Sequence, residues 1–131
     1  MSQEEAILTL NLEHSMLIKR LDGVIEVHCV DVYYGKKECE EITAAIGKLS
    51  GGERALVLLI GSNYSSIDKE GREYGSSEEG TRFSIAEAYI IKSMAQKIIA
   101  NFYMRVNKPV VPTRFFQDKE DAEEWLKSFR K

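Results

Sequence analysis

Several residue types that stabilise or target a protein are scarce in this chain. Its 131 residues include only two cysteines, Cys29 and Cys39, which the pattern places on a strand and on a helix. A disulfide framework is therefore not expected, and we expect a reduced, cytoplasmic protein. No apolar run approaches the roughly 20 residues of a membrane span. Residues 1–5 are polar and acidic, unlike a secretory signal peptide.

Positive charge is not in excess either, since the formal net charge is −3. We therefore expect no general attraction to nucleic acid or to an anionic membrane surface. The length suits one domain, residues 1–131, that buries its core without a metal. The only histidines, His14 and His28, have no partners at ligand spacing, so we interpret them as surface or partly covered residues. The sequence predicts no metal, no cofactor and no catalytic set.

One apolar stretch organises the chain. Residues 54–61 form a nearly continuous apolar run with glycines on both sides. Such a run is typical of a strand that is covered on both faces, so it predicts the central strand of an α/β sheet. Ligands of open α/β sheets bind beyond the carboxyl ends of the strands. The following loop, residues 62–68, is therefore the expected functional edge.

The remaining elements follow from periodicity and capping signals. Alternating segments predict three antiparallel strands over residues 6–13, 16–21 and 24–30, with a turn at Asp22-Gly23. Helical spacing predicts a helix over residues 36–49 and another after Asp118, anchored by Trp125. Ser65 is expected to cap a short helix over 67–74, followed by a mobile connection over 75–80. Residues 110–116, with Pro112, predict an edge strand.

A long helix is predicted over residues 84–106. Ser84 and Glu87 have the spacing of a capping box. Ile90 and Met94 fall outside its core stripe and widen the apolar surface, which indicates either a partner or cover by a neighbouring loop. The predicted order is β-β-β-α-β-α-α-β-α.

This order resembles the SpoIIAA-like group, which includes STAS domains and their Sec14-like relatives. The resemblance rests on the Asp22-Gly23 hairpin, on the central strand with its serine-containing loop, and on the strand-to-helix ending from Arg114 to Leu126. It implies a SpoIIAA-like mixed sheet. In STAS antagonists of anti-sigma factors, a serine after the central strand is phosphorylated. Ser65 and Ser66 match that position, while the flanking Asp and Gly of the family motif are absent.

The resemblance makes Ser65 and Ser66 candidates for phosphorylation, and their place at a predicted helix N-terminus makes them candidates for anion binding. The alternative is one capping serine and one solvated serine. Candidate residues for a partner or ligand rim are Tyr33, Tyr34, Tyr64, Ile90 and Met94, with at least one tyrosine packing inward. The favoured function is a non-enzymatic, SpoIIAA-like regulatory module that binds a protein or forms a homodimer through residues 84–106. The alternative is a Sec14-like binder of a small apolar or anionic ligand. An enzyme ranks third.

Overall fold

The computed structural model describes residues 5–30 and 33–130. The prediction about residues 1–5 falls almost entirely outside this range. In chain order the elements are β1 (Ala6–Asn11), β2 (Ser15–Arg20), β3 (Ile25–Cys29), β4 (Tyr33–Tyr34), α1 (Lys36–Leu49), β5 (Ala55–Ile60), β6 (Ser66–Ile67), α2 (Lys69–Ser76), β7 (Ser84–Ile90), α3 (Met94–Phe102), a π-helical turn (Tyr103–Asn107), β8 (Thr113–Phe116) and α4 (Lys119–Lys127). None of these helices is long and apolar enough to cross a membrane.

Six strands form one mixed sheet in the order β1-β2-β3-β5-β7-β8. The pairs β1–β2 and β2–β3 are antiparallel. The pairs β3–β5, β5–β7 and β7–β8 are parallel. The two-residue strands β4 and β6 pair separately. The predicted α/β class is therefore confirmed as a mixed fold with a mostly parallel central sheet and, among the residues described, four α-helices.

The sheet is covered on both faces. Val57 and Leu58 are adjacent in β5, and both are completely buried. Val57 belongs to a core under α1, whereas Leu58 belongs to a core under α4. This two-sided cover explains why β5 has a continuous apolar sequence. The predicted central strand, antiparallel meander and first helix are confirmed, and Asp118 caps α4 by accepting a hydrogen bond from the Glu120 amide.

The predicted long helix over residues 84–106 is wrong. Its first part is β7, which fills the sheet between β5 and β8, so its backbone groups are paired on both sides. Helix α3 begins later, where Ser93 caps it by accepting a hydrogen bond from the Gln96 amide. Ile90 is buried, at 7 % exposure, so it contributes nothing to a surplus apolar surface. A dimer interface along one helix from 84 to 106 is therefore excluded.

The segment after β5 also differs from its prediction. Asp68, rather than Ser65, caps α2, because its carboxylate accepts a hydrogen bond from the Gly71 amide. The connection over residues 75–80 was expected to be mobile, but it is closely packed. A Cβ atom at Gly80 would lie 2.0 Å from the Tyr74 carbonyl oxygen, and the Gly80 carbonyl accepts a hydrogen bond from Thr43. The predicted edge strand is confirmed as β8, which starts just after Pro112.

Candidate ligand cavity

A cavity of about 160 Å³ lies between one face of the sheet and the helices α1, α2 and α3. Its sheet side includes Leu59, Tyr89 and Phe115, from three neighbouring parallel strands. These side chains are only half-buried although they lie beneath helices, since they face the open space. Ile46 of α1 and Ile99 of α3 form apolar walls opposite the sheet. The cavity is therefore a gap in the core at the carboxyl ends of β5 and β7.

A buried carboxyl group lies on the sheet side of this cavity. Glu87 of β7 is 5 % exposed. Its Oε2 accepts a hydrogen bond of 2.7 Å from the Ser84 hydroxyl, and its Oε1 accepts one of 3.1 Å from the Tyr89 hydroxyl. No cationic side chain pairs with it among the described ion pairs. Glu87 is thus satisfied by hydroxyl groups alone.

Burial has the largest effect on the pKa of the Glu87 carboxyl group. Desolvation raises the pKa of Glu87 to about 7, against the opposing effect of the hydrogen bonds from Ser84 and Tyr89. Near neutral pH the carboxyl group is therefore present in both its neutral and its charged form. Any ligand that favours one form selects it, so the protonation of Glu87 is coupled to binding.

Three aromatic rings extend the cavity wall beside Glu87. Tyr89 stacks on Phe115 with ring centroids 4.7 Å apart, and Tyr103 meets Phe115 edge to face at 6.0 Å. Tyr103 is 4 % exposed, and its hydroxyl has no partner at full hydrogen-bond geometry among the described residues, although it interacts more weakly with the Tyr89 hydroxyl. Burial raises the pKa of Tyr103, with Glu87 adding to the rise and the nearby Tyr89 hydroxyl opposing it. A buried hydroxyl without a partner is costly, and a bound ligand would satisfy it.

The loop after β5 closes one side of the cavity. Gln96 of α3 donates from Nε2 to the carbonyl oxygens of Ser62, at 2.7 Å, and Ser65, at 3.0 Å. Its Oε1 accepts from the Lys92 amide at 2.7 Å. Ser66 also lines the cavity and is exposed, so the cavity reaches the surface here. Gln96 therefore joins α3 to the loop at the cavity mouth.

Both cysteines lie at the cavity wall, as thiols. Burial raises the pKa of Cys29. Burial also raises the pKa of Cys39 to about 12, with Cys29 and neighbouring acidic groups adding to the effect. A thiol in this environment is a poor nucleophile. No disulfide joins Cys29 and Cys39 in the structure.

The structure brings together only some of the residues that the sequence singled out. Ser65, Ser66, Tyr34 and Ile90 border the cavity. Tyr34 packs inward, as expected for one of the tyrosines, and its hydroxyl donates to the His14 carbonyl. The remaining three, Tyr33, Tyr64 and Met94, do not line it and are 56 %, 82 % and 70 % exposed.

Sequence reasoning missed Glu87, Tyr89, Gln96 and Tyr103. For Glu87 and Tyr89, the signal was alternation, because Ala86 and Ala88 lie on one face of a strand and Glu87 and Tyr89 lie on the other. For Gln96, the signal was its spacing from Ser93, which is that of a capping box. No sequence signal distinguishes Tyr103 from an ordinary core tyrosine.

Comparison with known proteins gives a family. A family model described as a domain of unknown function, DUF7793, matches residues 16–130. This chain belongs to the DUF7793 family. No curated protein matches it. A crystal structure of a protein with unknown function from Arthrobacter sp. FB24 shows 19 % identity over 89 % of this chain and 95 % of that chain, with a TM-score of 0.29. A score this low does not establish a common fold.

The histidines of this DUF7793 chain lie outside the cavity. His14 is buried, with Nδ1 2.9 Å from Ser15 Oγ and Nε2 3.1 Å from Glu41, so its interpretation as a surface or partly covered residue is wrong. His28 is half-buried and lies 2.8 Å from Glu26. Within residues 5–30 and 33–130, no group of three or more potential ligands is placed to hold a metal ion.

Proposed function

We propose that this domain is a non-enzymatic module that binds one small, mainly apolar molecule in the cavity between the sheet and helices α1 to α3. The observation that carries the proposal is a gap in an otherwise packed core. The gap contains a buried carboxyl group, Glu87, and a hydroxyl group, Tyr103, that has no partner at full hydrogen-bond geometry among the described residues. Apolar walls with a few convergent polar groups are the usual composition of a small-molecule site.

The cavity volume limits the ligand. Protein cores are closely packed, and an empty space of this size removes many favourable contacts. A cavity of about 150 Å³ with apolar walls accommodates a molecule such as benzene. The expected ligand, or the part of it that enters, therefore has about six or seven non-hydrogen atoms.

The non-enzymatic part of the proposal rests on the state of the nucleophiles. The high pKa of Cys39 keeps its thiol protonated at the wall. The hydroxyl of Ser84 is occupied in its hydrogen bond to Glu87. The Cys39 thiol therefore contributes to the cavity wall, and the Ser84 hydroxyl acts as a hydrogen-bond donor; neither acts as a nucleophile.

We further propose that the fold is SpoIIAA-like. Of the two functions that the resemblance suggests, we favour Sec14-like binding of a small ligand over a purely protein-binding role. In support, three antiparallel strands lead into α1, and a serine-containing loop follows the central strand. Among the larger elements, the observed order differs from the predicted SpoIIAA-like order by one additional strand, β7. The SpoIIAA-like group offers only an analogy of fold, so the physical argument for ligand binding rests on the cavity.

A cavity-filling variant tests the proposal. Ala100 of α3 is buried and borders the cavity, so Ala100→Leu should fill part of it. Ala95→Leu, on the exposed face of the same helix, is the matched control. Titration with toluene, followed by methyl NMR, should shift the signals of Ile46, Leu59 and Ile99 in the wild type and in the control but not in Ala100→Leu. Absence of shifts in the wild type would contradict the proposal.

A second candidate function, docking of a protein or of a second copy, has its own observation. Met94, Ile98 and Phe102 are spaced four residues apart on α3 and are 70 %, 64 % and 40 % exposed. Ile98→Glu should then abolish association measured by light scattering, while Glu124→Lys, at an exposed site on α4, should not. A wild-type monomer at every concentration would exclude the homodimer.

A further inference from the structure

We infer that the ligand of this cavity carries an organic ammonium group, which is held by the Glu87 carboxylate and the Tyr103 hydroxyl beside the aromatic rings of Tyr89 and Phe115. This inference rests on the proposed function and specifies the chemical class of its ligand. It replaces the anionic ligand that the sequence left open.

The charge of the cavity wall carries the first step. Among the residues that the structure describes, Glu87 is the only acidic side chain that borders the cavity, and no lysine, arginine or histidine borders it. A carboxylate or phosphate ligand would place a second negative charge near Glu87 without a compensating cation, which is costly in a buried site. A cationic ligand instead supplies the counter-charge that Glu87 lacks.

The hydrogen-bond directions carry the second step. Ser84 and Tyr89 both donate to the carboxyl oxygens, an arrangement that suits the carboxylate form and leaves acceptor capacity on each oxygen. The Tyr103 oxygen is 4 % exposed as part of its residue, and no described residue gives it a donor at full hydrogen-bond geometry. An ammonium group has only donors, so it complements both sites.

The aromatic rings carry the third step. Tyr89 and Tyr103 lie with ring centroids 6.3 Å apart, and Phe115 contacts both rings. Aromatic faces attract organic cations, and the attraction grows when water is excluded. The apolar remainder of the ligand would contact Ile46 and Ile99, so a primary amine on one small ring or short chain fits best.

Binding of a cation should also change the titration of the site. The titratable groups facing Glu87 are Tyr89 on its own strand, Tyr103 on the π-helical turn and Cys39 on α1, and none of them is cationic. Since no cation of the described residues offsets the burial of Glu87, the ligand cation would stabilise its charged form. Affinity should therefore increase from pH 6 to pH 8, and binding at pH 6 should release protons.

Three ligands of one shape test this inference: benzylamine, which is cationic at pH 8, benzyl alcohol and benzoate. Calorimetry on the whole chain should give the tightest binding for benzylamine, by roughly tenfold or more over benzyl alcohol, and the weakest for benzoate. Glu87→Gln should remove the preference for the amine, and Tyr103→Phe should reduce it. Glu124→Gln, an exposed carboxyl on α4, should leave it unchanged.

The outcomes separate this inference from the proposed function. If toluene binds while the three ligands bind equally, or while Glu87→Gln keeps the preference for the amine, the ammonium inference is overturned and the cavity proposal stands. If neither toluene nor any of the three binds, both are overturned. The affinity of the wild type for benzylamine, measured from pH 6 to pH 8, tests the ammonium inference without a variant. An affinity that does not change over this range would contradict the role of Glu87.

Discussion

The side chains of Ser84 and Glu87 lie three residues apart on one strand and yet meet, with 2.7 Å between Ser84 Oγ and Glu87 Oε2. Residues at this spacing normally point to opposite faces of a sheet. Here Ala55 pairs with Ser84 and Leu56 pairs with Ala86, so Ile85 is an extra residue in the ladder. This β-bulge turns Ser84 to the face of Glu87. A hydroxyl donor is thereby supplied to a carboxyl group that pairs with no cationic side chain in residues 5–30 and 33–130.

Removal of that donor should shift the titration of Glu87. In Ser84→Ala the carboxylate loses one of its two hydroxyl donors, so the pKa of Glu87 should rise above 7, and the free energy of unfolding at pH 8 should fall by roughly 1 kcal/mol. Carbon-13 NMR of the Glu87 carboxyl group measures the titration directly. Ser128→Ala, at an exposed site on the end of α4, is the control, and an unchanged Glu87 titration in Ser84→Ala would contradict the assigned contact.

The buried carboxyl group should also make stability depend on pH. The pKa of Glu87 is raised from 4.5 to about 7 on folding, so the folded state binds more protons than the unfolded state between these values. Stability should therefore decrease as pH rises through this window, by about 3 kcal/mol in total for this one group. Urea unfolding at pH 5 and pH 8 should show most of that loss in the wild type and not in Glu87→Gln.

The exposed variant Glu124→Gln should follow the wild type at both pH values in the same assay. The acidic groups Asp22 and Glu26 have lowered pKa values, so they affect stability at lower pH than Glu87 does. Parallel pH profiles for the wild type and Glu87→Gln would contradict the raised pKa of Glu87.

Two glycines near α2 should respond differently to alanine. In Gly80→Ala the new Cβ would lie 2.0 Å from the Tyr74 carbonyl oxygen, so the backbone must move, and we expect a loss of roughly 2 kcal/mol or more. In Gly75→Ala the closest contact is the Tyr103 hydroxyl at 3.6 Å. That variant should be neutral or more stable by up to about 1 kcal/mol, because alanine favours the helix. Thermal unfolding of both variants measures the difference, and equal effects would contradict the packing described for residues 75–80.

An ion cluster on the opposite face of the sheet should be essential for stability. Arg20 is completely buried and lies 2.6 Å from both Asp22 and Glu123 and 3.1 Å from Glu26. Arg20→Met would leave these carboxylates without their central cation, at a cost of about 3 to 5 kcal/mol. Arg130→Met, which removes a half-exposed cation 3.5 Å from Asp22, should cost less than about 1 kcal/mol. Chemical denaturation that ranks the two variants in the reverse order would contradict this assignment.

Elements with one clear period could be predicted from the sequence. Helix α1 was predicted over residues 36–49 and is observed as Lys36–Leu49, because its apolar residues repeat at helical spacing and glycines follow. The central strand was found because its cover on both faces removes every polar residue from it. Asp118 before α4 is an ordinary cap, and the sequence alone identifies it.

The segment around the cavity could not be predicted in the same way, because a functional space breaks the usual patterns. Glu87 is a buried acid within a strand. In the sequence, its spacing from Ser84 is that of the Glu in a helix capping box, so it is not recognised as a core residue. Tyr89 alternates with Ala88 and Ile90 in a segment that is apolar on both sides, and short apolar segments do not distinguish strand from helix. The bulge at Ile85 further disturbs the alternation. Phosphorylation of Ser65 or Ser66 stays a prediction.

Mass spectrometry of the protein from its own cells, native and then denatured, tests the central claim most directly. The account predicts a non-covalent molecule of small mass that is lost on denaturation, that carries an amine, and that is absent from Ala100→Leu prepared in the same way. A bare chain under native conditions, together with no toluene binding by the purified wild type, would contradict it. A covalent phosphoryl group on Ser65 or Ser66 would instead support the phosphorylated regulatory module.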